Sequence, residues 1–197
     1  MREVELKSVV DDVDARRRAI ERAGARLTFA GRLEDRRFDT ADRSLAGRDH
    51  VLRLRIYRDE AGAHAALDWK GPTMYEVGYK VREEHSTDAS DAMALATILE
   101  RLGFVVTREI DREIIQYRLD GAVVRFERYP RMDSLVEVEG APEAIESAIA
   151  ALGLERAGFT ADRLPQFIAR YEARTGERAA ICDRELAGDY PFDPDDA

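Results

Sequence analysis

A single cysteine, Cys182, stands in 197 residues. The chain therefore forms no disulfide within itself, and nothing in it points to secretion. No apolar run approaches the ~20 residues that a membrane-spanning helix needs. The start lacks the charged, apolar, small-residue order of a signal peptide. These absences lead to the expectation of a cytoplasmic protein. A basic surplus is missing too: 31 Lys and Arg face 40 Asp and Glu, a formal net charge of -9. That is the wrong sign for a duplex-binding protein. No GxxxxGK[ST] loop occurs, which excludes a P-loop phosphate site. The three histidines, His50, His64 and His85, show no ligand spacing, so no zinc site is expected. No fixed-period repeat or low-complexity stretch stands out.

What the chain has in quantity is charge. Charged residues make up 36% of it, against the usual quarter for a globular domain. With 45% hydrophobic residues it still buries a core of one-domain size. Residues 2–10 alternate apolar and polar, as a strand does. DVDARRRAIERA reads as a helix stopped by Gly24. RRFDTADRSLAGRDH reads as a strand end running into a long polar loop. HVLRLRIYRD alternates clearly, AGAHAALDWKGP carries a hairpin turn and a further strand, and EVGYKVREEH reads as the next. STDASDAMALATILERLG is expected as a helix capped at Ser86, Thr87 or Asp88 and ended by Gly103. Asp120-Gly121 marks a hairpin, and DSLVEVEG another short strand. APEAIESAIAALG and ADRLPQFIARYEARTG are helical, each with an early proline. The latter is expected to plug or flank a tunnel mouth. Residues 177–197 form an acidic tail, expected to be loosely held. Seven or eight mostly antiparallel strands with inserted helices make an α+β protein, not an alternating parallel one.

Alternation assigns residues to faces. Glu3, Glu5 and Lys7 share one face of the first strand. Arg53 and Arg55 share one, as do Asp68 and Lys70. Lys80, Arg82 and Glu84 share another, Arg125 and Glu127 another, and Glu137 and Glu139 a sixth. Opposite them lie Val, Leu, Ile, Trp69 and Phe126, expected as core. A sheet with one solvated face produces such alternation on any single strand. Here the charged faces are nearly pure Arg, Lys and Glu, and they recur on six strands. If the sheet closes, those faces line a tunnel, and the helices cover the apolar outside. Clustered Arg and Lys suit phosphate. Carboxylate pairs at i, i+2, Glu3/Glu5 and Glu137/Glu139, suit Mg²⁺ or Mn²⁺, with Glu127 as a fifth ligand. The expected occupant is a metal-bound polyphosphate.

These residues resemble the CYTH family, the triphosphate tunnel metalloenzymes, which include class IV adenylyl cyclases, thiamine triphosphatases and inorganic triphosphatases. EVELK at residues 3–7 matches the family's ExExK hallmark. RRFDT, LRLR, LDWKGP, VREE and LVEVEG follow in family order. The resemblance runs from residue 2 to about residue 170, so residues 1–176 are expected as the tunnel domain and 177–197 as its tail. It implies a closed antiparallel eight-stranded β-barrel with helices outside. By the same resemblance Glu3, Glu5, Glu137 and Glu139 hold metal. Lys7, Arg53, Arg55, Lys70 and Arg82 bind phosphate oxygens, with Lys7, Arg53 and Arg55 placed at the chemistry. Arg112 matches a basic residue of a later strand, with Arg108 as the fallback, and alternation adds Lys80 and Arg125. Two positions depart from the family pattern: Glu127 stands where Asp is common, and Ile110 where a lysine precedes the arginine. The implied activity is Mg²⁺- or Mn²⁺-dependent triphosphate hydrolysis. Adenylate cyclase chemistry and non-catalytic binding of polyphosphate or nucleotide are the alternatives. The expected partner is a small triphosphate (tripolyphosphate, ATP or thiamine triphosphate), neither nucleic acid nor membrane; a homodimer stays open.

Overall fold

The computed structural model describes residues 2–193. Nine strands follow the alternating segments: β1 (Arg2–Val9), β2 (Arg26–Thr40), β3 (Val51–Asp59), β4 (Gly62–Lys70), β5 (Met74–Glu76), β6 (Tyr79–Ala89), β7 (Phe104–Leu119), β8 (Ala122–Arg128) and β9 (Leu135–Glu139). Five helices join them: α1 (Val13–Arg22), α2 (Ala92–Arg101), α3 (Pro142–Leu152), α4 (Leu164–Thr175) and α5 (Asp183–Leu186). The sheet runs β1-β9-β8-β7-β2-β3-β4-β6 and closes because β6 pairs back onto β1, leaving β5 as an extra strand on β6. The result is a closed eight-stranded antiparallel barrel. Closure is set by register: Glu3 lies opposite Arg82 and Glu5 opposite Lys80. It satisfies the backbone of both terminal strands and leaves no open edge between them.

The apolar faces point outward and are roofed by helices. Leu6, Val124, Phe126, Val136 and Val138 pack with Val13 and Ile20 of α1 and Ile145, Ile149 and Leu152 of α3. Leu99 of α2 packs on Phe38, Leu54 and Ala65. The α4 helix differs. Its Leu164, Phe167 and Ile168 cluster with Ile110 and Leu135. Those two share the inward face with Arg112 and Glu137 by strand parity, so α4 enters the barrel from one end and caps it.

The local signals mostly hold. Asp12 caps α1, its Oδ1 accepting from Ala15 N at 2.9 Å, and Gly24 follows at φ +94. At the β7–β8 turn Asp120 and Gly121 both take positive φ, 44 and 87, the conformation that favours this pair in a two-residue hairpin. Three expectations are corrected. The second helix starts later than Ser86–Asp88: those residues continue β6 against β4, Thr87 opposite Leu67. Asp91 is the cap, accepting from Ala94 N at 2.9 Å. The strand end at RRFDT belongs to a strand of 15 residues that begins at Arg26. Its outward Arg32, Glu34 and Arg36 are as polar as its inward side, so alternation gave no contrast there. The tail is not loose where it is described. Ala180, Ile181 and Cys182 are fully buried. Asp111 N donates to Ile181 O at 2.8 Å, and Arg131 and Ala180 exchange backbone hydrogen bonds. Residues 194–197 of the expected tail lie outside the described residues. No helix among the described residues is long and apolar enough to cross a membrane.

Candidate functional site: the charged barrel interior

Inward alternation along eight closed strands gathers side chains that are far apart in sequence. The central cavity, about 70 Å³, is lined by ten cations, Lys7, Arg37, Arg53, Arg55, Lys70, Lys80, Arg82, Arg112, Arg125 and Arg163. Only four carboxylates, Glu5, Asp35, Glu127 and Glu137, line it with them. Several of these cations are held by carboxylates of the adjoining mouths, Arg53 by Asp68, Lys70 by Glu3, and Arg82 and Arg163 by Asp49, so the interior as a whole is close to balanced. One end opens into a chamber of about 450 Å³ that contains Glu3, Asp68, Glu84 and Glu139 beside Tyr57 and His85. Toward α4 the cavity adjoins a pocket of about 200 Å³ through Arg37, Val51 and Arg163.

Each of these carboxylates except Glu139 is held by a cation, as burial demands. Lys70 Nζ lies 2.6 Å from both oxygens of Glu3. Lys80 Nζ is 2.5 Å from Glu5. Lys7 bridges Glu137 at 2.7 Å and Glu5 at 3.6 Å, and Arg125 reaches Glu137 at 2.8 Å. Arg53 Nε donates to Asp68 at 3.0 Å. Arg82 is oriented by main chain, donating to the carbonyls of Gly71 at 2.6 Å and Asp49 at 2.7 Å. The same Asp49 takes Arg163 at 3.2 Å, fixing the start of α4 to this mouth.

At the middle stands Asp35, 1% exposed. Its Oδ1 accepts from Arg55 Nε at 3.1 Å, and its Oδ2 from both Nη atoms of Arg112 at 3.2 Å. Burial opposes its ionisation, yet the guanidiniums of Arg55, Arg112 and Arg53 hold Asp35 well below the usual carboxylate range. Elsewhere the balance tips the other way. Burial, then the charge of Arg53, lowers Arg37 to about 9. Lys80 and Arg82 are also lowered, first by burial. Burial leads in all three, whereas Lys7, Arg112 and Arg125, each held by a carboxylate, are shifted upward. At the opposite end the reverse applies: burial, then the charges of Glu137 and Glu3, raises Glu139 to about 7.

The sequence-derived residues thus fall into three groups. Lys7, Arg53, Arg55, Lys70, Lys80, Arg82, Arg112 and Arg125 meet in the cavity, with Glu5, Glu127 and Glu137. Glu3 and Glu139 lie in the wider chamber. Arg108 lies apart from both: it is 2% exposed and pairs at 2.7 Å with Glu185 of the C-terminal segment. Sequence reasoning missed Asp35 and Arg37, because β2 was hidden, and Tyr129 and Arg163, which lie just outside regular elements. The i, i+2 pair Asp35/Arg37 was the available signal. Among the described residues, one trio of ligand-type side chains converges within 4.8 Å: Glu109, Asp111 and Cys182. It sits outside the cavity. Asp111 there is already held by Arg36 at 2.7 Å and by Asp183 N at 3.0 Å.

Comparison with known proteins adds the following. A sequence model described as the CYTH domain matches residues 1–147. No curated protein matches the sequence. Among solved structures, a candidate adenylate cyclase from Vibrio parahaemolyticus is similar, at 18% identity and TM-score 0.72, covering 85% of this chain and 97% of that one. A Pyrococcus horikoshii protein shares 23% identity at TM-score 0.70, covering 85% and 98%. A candidate adenylyl cyclase from Hippeastrum, described as having a dominant triphosphatase activity, shares 18% at TM-score 0.60, covering 87% and 96%. At these identities the three structures establish the likeness of fold.

Proposed function

The chain belongs to the CYTH domain family, and on that premise we propose that it is a divalent-metal-dependent triphosphatase whose substrate threads the barrel. The observation that carries this reading is the lining of ten cations against four carboxylates. Ten buried cations converging on one narrow cavity offer N–H donors to an anion bearing several charges at once, and a chain of phosphates has the shape of a tunnel ligand. The chain's net negative charge argues that this cation-lined cavity serves a small ligand, not a polymer docking on the surface.

The donor type, carboxylate oxygen, suits a hard divalent cation, although in this lysine-held arrangement no three of the inward carboxylates converge within 4.8 Å of one another. On adjacent strands Glu5 lies opposite Glu139, and Glu137 opposite Lys7. The carboxyl of Glu139 is raised to about 7, first by burial and then by the charges of Glu137 and Glu3. Glu3, Glu5, Glu137 and Glu139 would hold Mg²⁺ or Mn²⁺, all oxygen ligands as those ions prefer. When bound, such an ion neutralises phosphate charge and lowers the pKa of the attacking water. The protein's own side chains do the rest. Lys7, Lys70 and Lys80 each hold a carboxylate through a flexible stem, so each is free to turn its ammonium to a phosphate oxygen. Arg53, Arg55 and Arg112 line the cavity and are already fixed by Asp35 and Asp68, so a phosphate oxygen meets guanidiniums held in place. Preorganised donors of this kind stabilise the charge that gathers on the phosphoryl oxygens.

Hydrolysis is favoured because it asks only for the tunnel. The larger chamber, with Tyr57 and His85 at its wall, supports the second reading, in which a nucleoside sits there and its 3′-hydroxyl is the nucleophile of an adenylate cyclase. A cytoplasmic place, where such triphosphates occur, suits both. The test is turnover of tripolyphosphate with Mg²⁺ or Mn²⁺: Glu5→Gln should abolish it while circular dichroism stays unchanged. Full activity in that variant would remove the metal assignment.

A further inference from the structure

Glu127 shares the inward face with the proposed metal-holding carboxylates, yet its surroundings differ from theirs. Tyr129 Oη donates to Glu127 Oε2 at 2.7 Å, and Arg112 Nε donates to its Oε1 at 3.0 Å. Arg112 is in turn fixed on Asp35 Oδ2 at 3.2 Å through both Nη atoms. Its guanidinium lies over the Tyr129 ring, 5.9 Å from the centroid. Asp35 continues to Arg55, and Arg55 to the Tyr57 hydroxyl at 3.2 Å. A buried line of donors and acceptors therefore crosses the barrel from Tyr129 to Tyr57.

Register sets Glu127 apart. It lies opposite Leu135 and Ile114, whereas Glu137 lies opposite Arg125 and Lys7, and Glu139 opposite Glu5. Glu127 and Glu139 are thus four residues apart along the ladder, about 13 Å at strand rise. The partners differ in kind as well. Glu3 and Glu5 are held by lysines, and Glu137 by Lys7 together with Arg125; an ammonium swings away on its stem. Glu127 is gripped by a neutral hydroxyl and by a guanidinium anchored on its far side. Burial, then the charge of Glu127, raises Tyr129 well above the ordinary range, so its hydroxyl stays a donor.

We infer that Glu127 is a positioning residue for Arg112, held in that role by Tyr129, and not a metal ligand. The inference rests on the triphosphate-binding reading above. Glutamate at this position, with Tyr129 two residues on, aims Arg112 at the anion path. Metal is then left to the β1 and β9 carboxylates.

The experiment separates the two ligands. Mn²⁺ alone is titrated by electron paramagnetic resonance, and tripolyphosphate is titrated calorimetrically in EDTA. Glu127→Gln should leave Mn²⁺ affinity within about twofold of wild type, whereas Glu137→Gln should lose about tenfold or more. Tyr129→Phe, the milder change, should weaken tripolyphosphate binding roughly 3- to 10-fold. In an Arg112→Lys background it should add nothing, since both act through one group. A merely structural Tyr129 would give additive losses. If Glu127→Gln loses Mn²⁺ as Glu137→Gln does, or Tyr129→Phe binds tripolyphosphate as wild type does, this inference is overturned alone. A wild-type protein that binds no tripolyphosphate overturns the functional reading, and this inference with it.

Discussion

Asp35 shows what one residue does in a crowded electrostatic interior. It is the shared counter-ion of Arg55, Arg112 and Arg53. Removing its charge leaves buried guanidiniums facing one another. Asp35→Asn should cost on the order of 3 kcal/mol, the scale for breaking a buried pair from one side, read from urea unfolding at pH 7. Its carboxyl is held below the ordinary range. Its stabilising share is therefore complete above about pH 4, the unfolded value, and is lost as pH falls below that. Glu139 has the opposite sign. Its folded pKa, about 7, exceeds the unfolded one. Its ionisation thus opposes folding increasingly as pH rises from about 4.3 to 7. Glu139→Gln should accordingly stabilise the metal-free protein at pH 7.5 more than at pH 4.5. Equal effects at both pH values would contradict the crowding of Glu139 by Glu137 and Glu3. At this scale the sequence was informative for residues on clean strands: parity alone placed Glu3, Lys7, Arg53 and Glu137 on the charged faces that turn inward. It was silent on which cation holds which carboxylate, because those pairs join strands far apart in the chain. Lys70 meets Glu3 across 67 residues.

Among elements, β2 carries the most structure that the sequence concealed. It pairs along nearly its full length with β7 and runs beside β3, and it brings in Asp35 and Arg37. Its outward Glu34 pairs with Arg32 and Arg58, whereas Arg32 and Arg36 are satisfied by Asp183 and Asp111. Those partners lie on β7 and the C-terminal segment, so no local pattern announced the strand. Gly31 explains how β2 passes β3: a Cβ there would stand 2.2 Å from the Arg58 carbonyl oxygen. Gly31→Ala should therefore destabilise the barrel by about 1–3 kcal/mol, the usual range for forced overpacking, seen as a lowered melting temperature. An unchanged melt would mean that β2 and β3 separate easily at that end. The C-terminal segment was misjudged for a related reason. Its acidic composition suggests solvent, but Ala179–Cys182 is a short apolar run that packs against α4 and β7.

On the scale of the whole molecule, fold class was legible because one property repeated on six strands, whereas closure depended on β6 meeting β1, which no single segment records. The barrel concentrates cationic side chains around its cavity and leaves a negative exterior. An anion that binds only the folded barrel stabilises it by mass action. Tripolyphosphate should thus raise the melting temperature, by the equivalent of about 2.7 kcal/mol at a hundredfold excess over Kd. Added salt should erode the effect by screening. Sulfate giving the same shift at equal concentration would mean that the tunnel reads charge without reading length.

The central claim is that this interior binds and cleaves a phosphate chain. The direct measurement is phosphorus NMR of the pure protein with tripolyphosphate, and separately with ATP, in Mg²⁺ or Mn²⁺. Orthophosphate appearing at the expense of the terminal phosphate is the expected result. Pyrophosphate with cyclic AMP from ATP would replace hydrolysis by the cyclase reading, and spectra unchanged with both substrates and both metals would contradict catalysis by this tunnel on either.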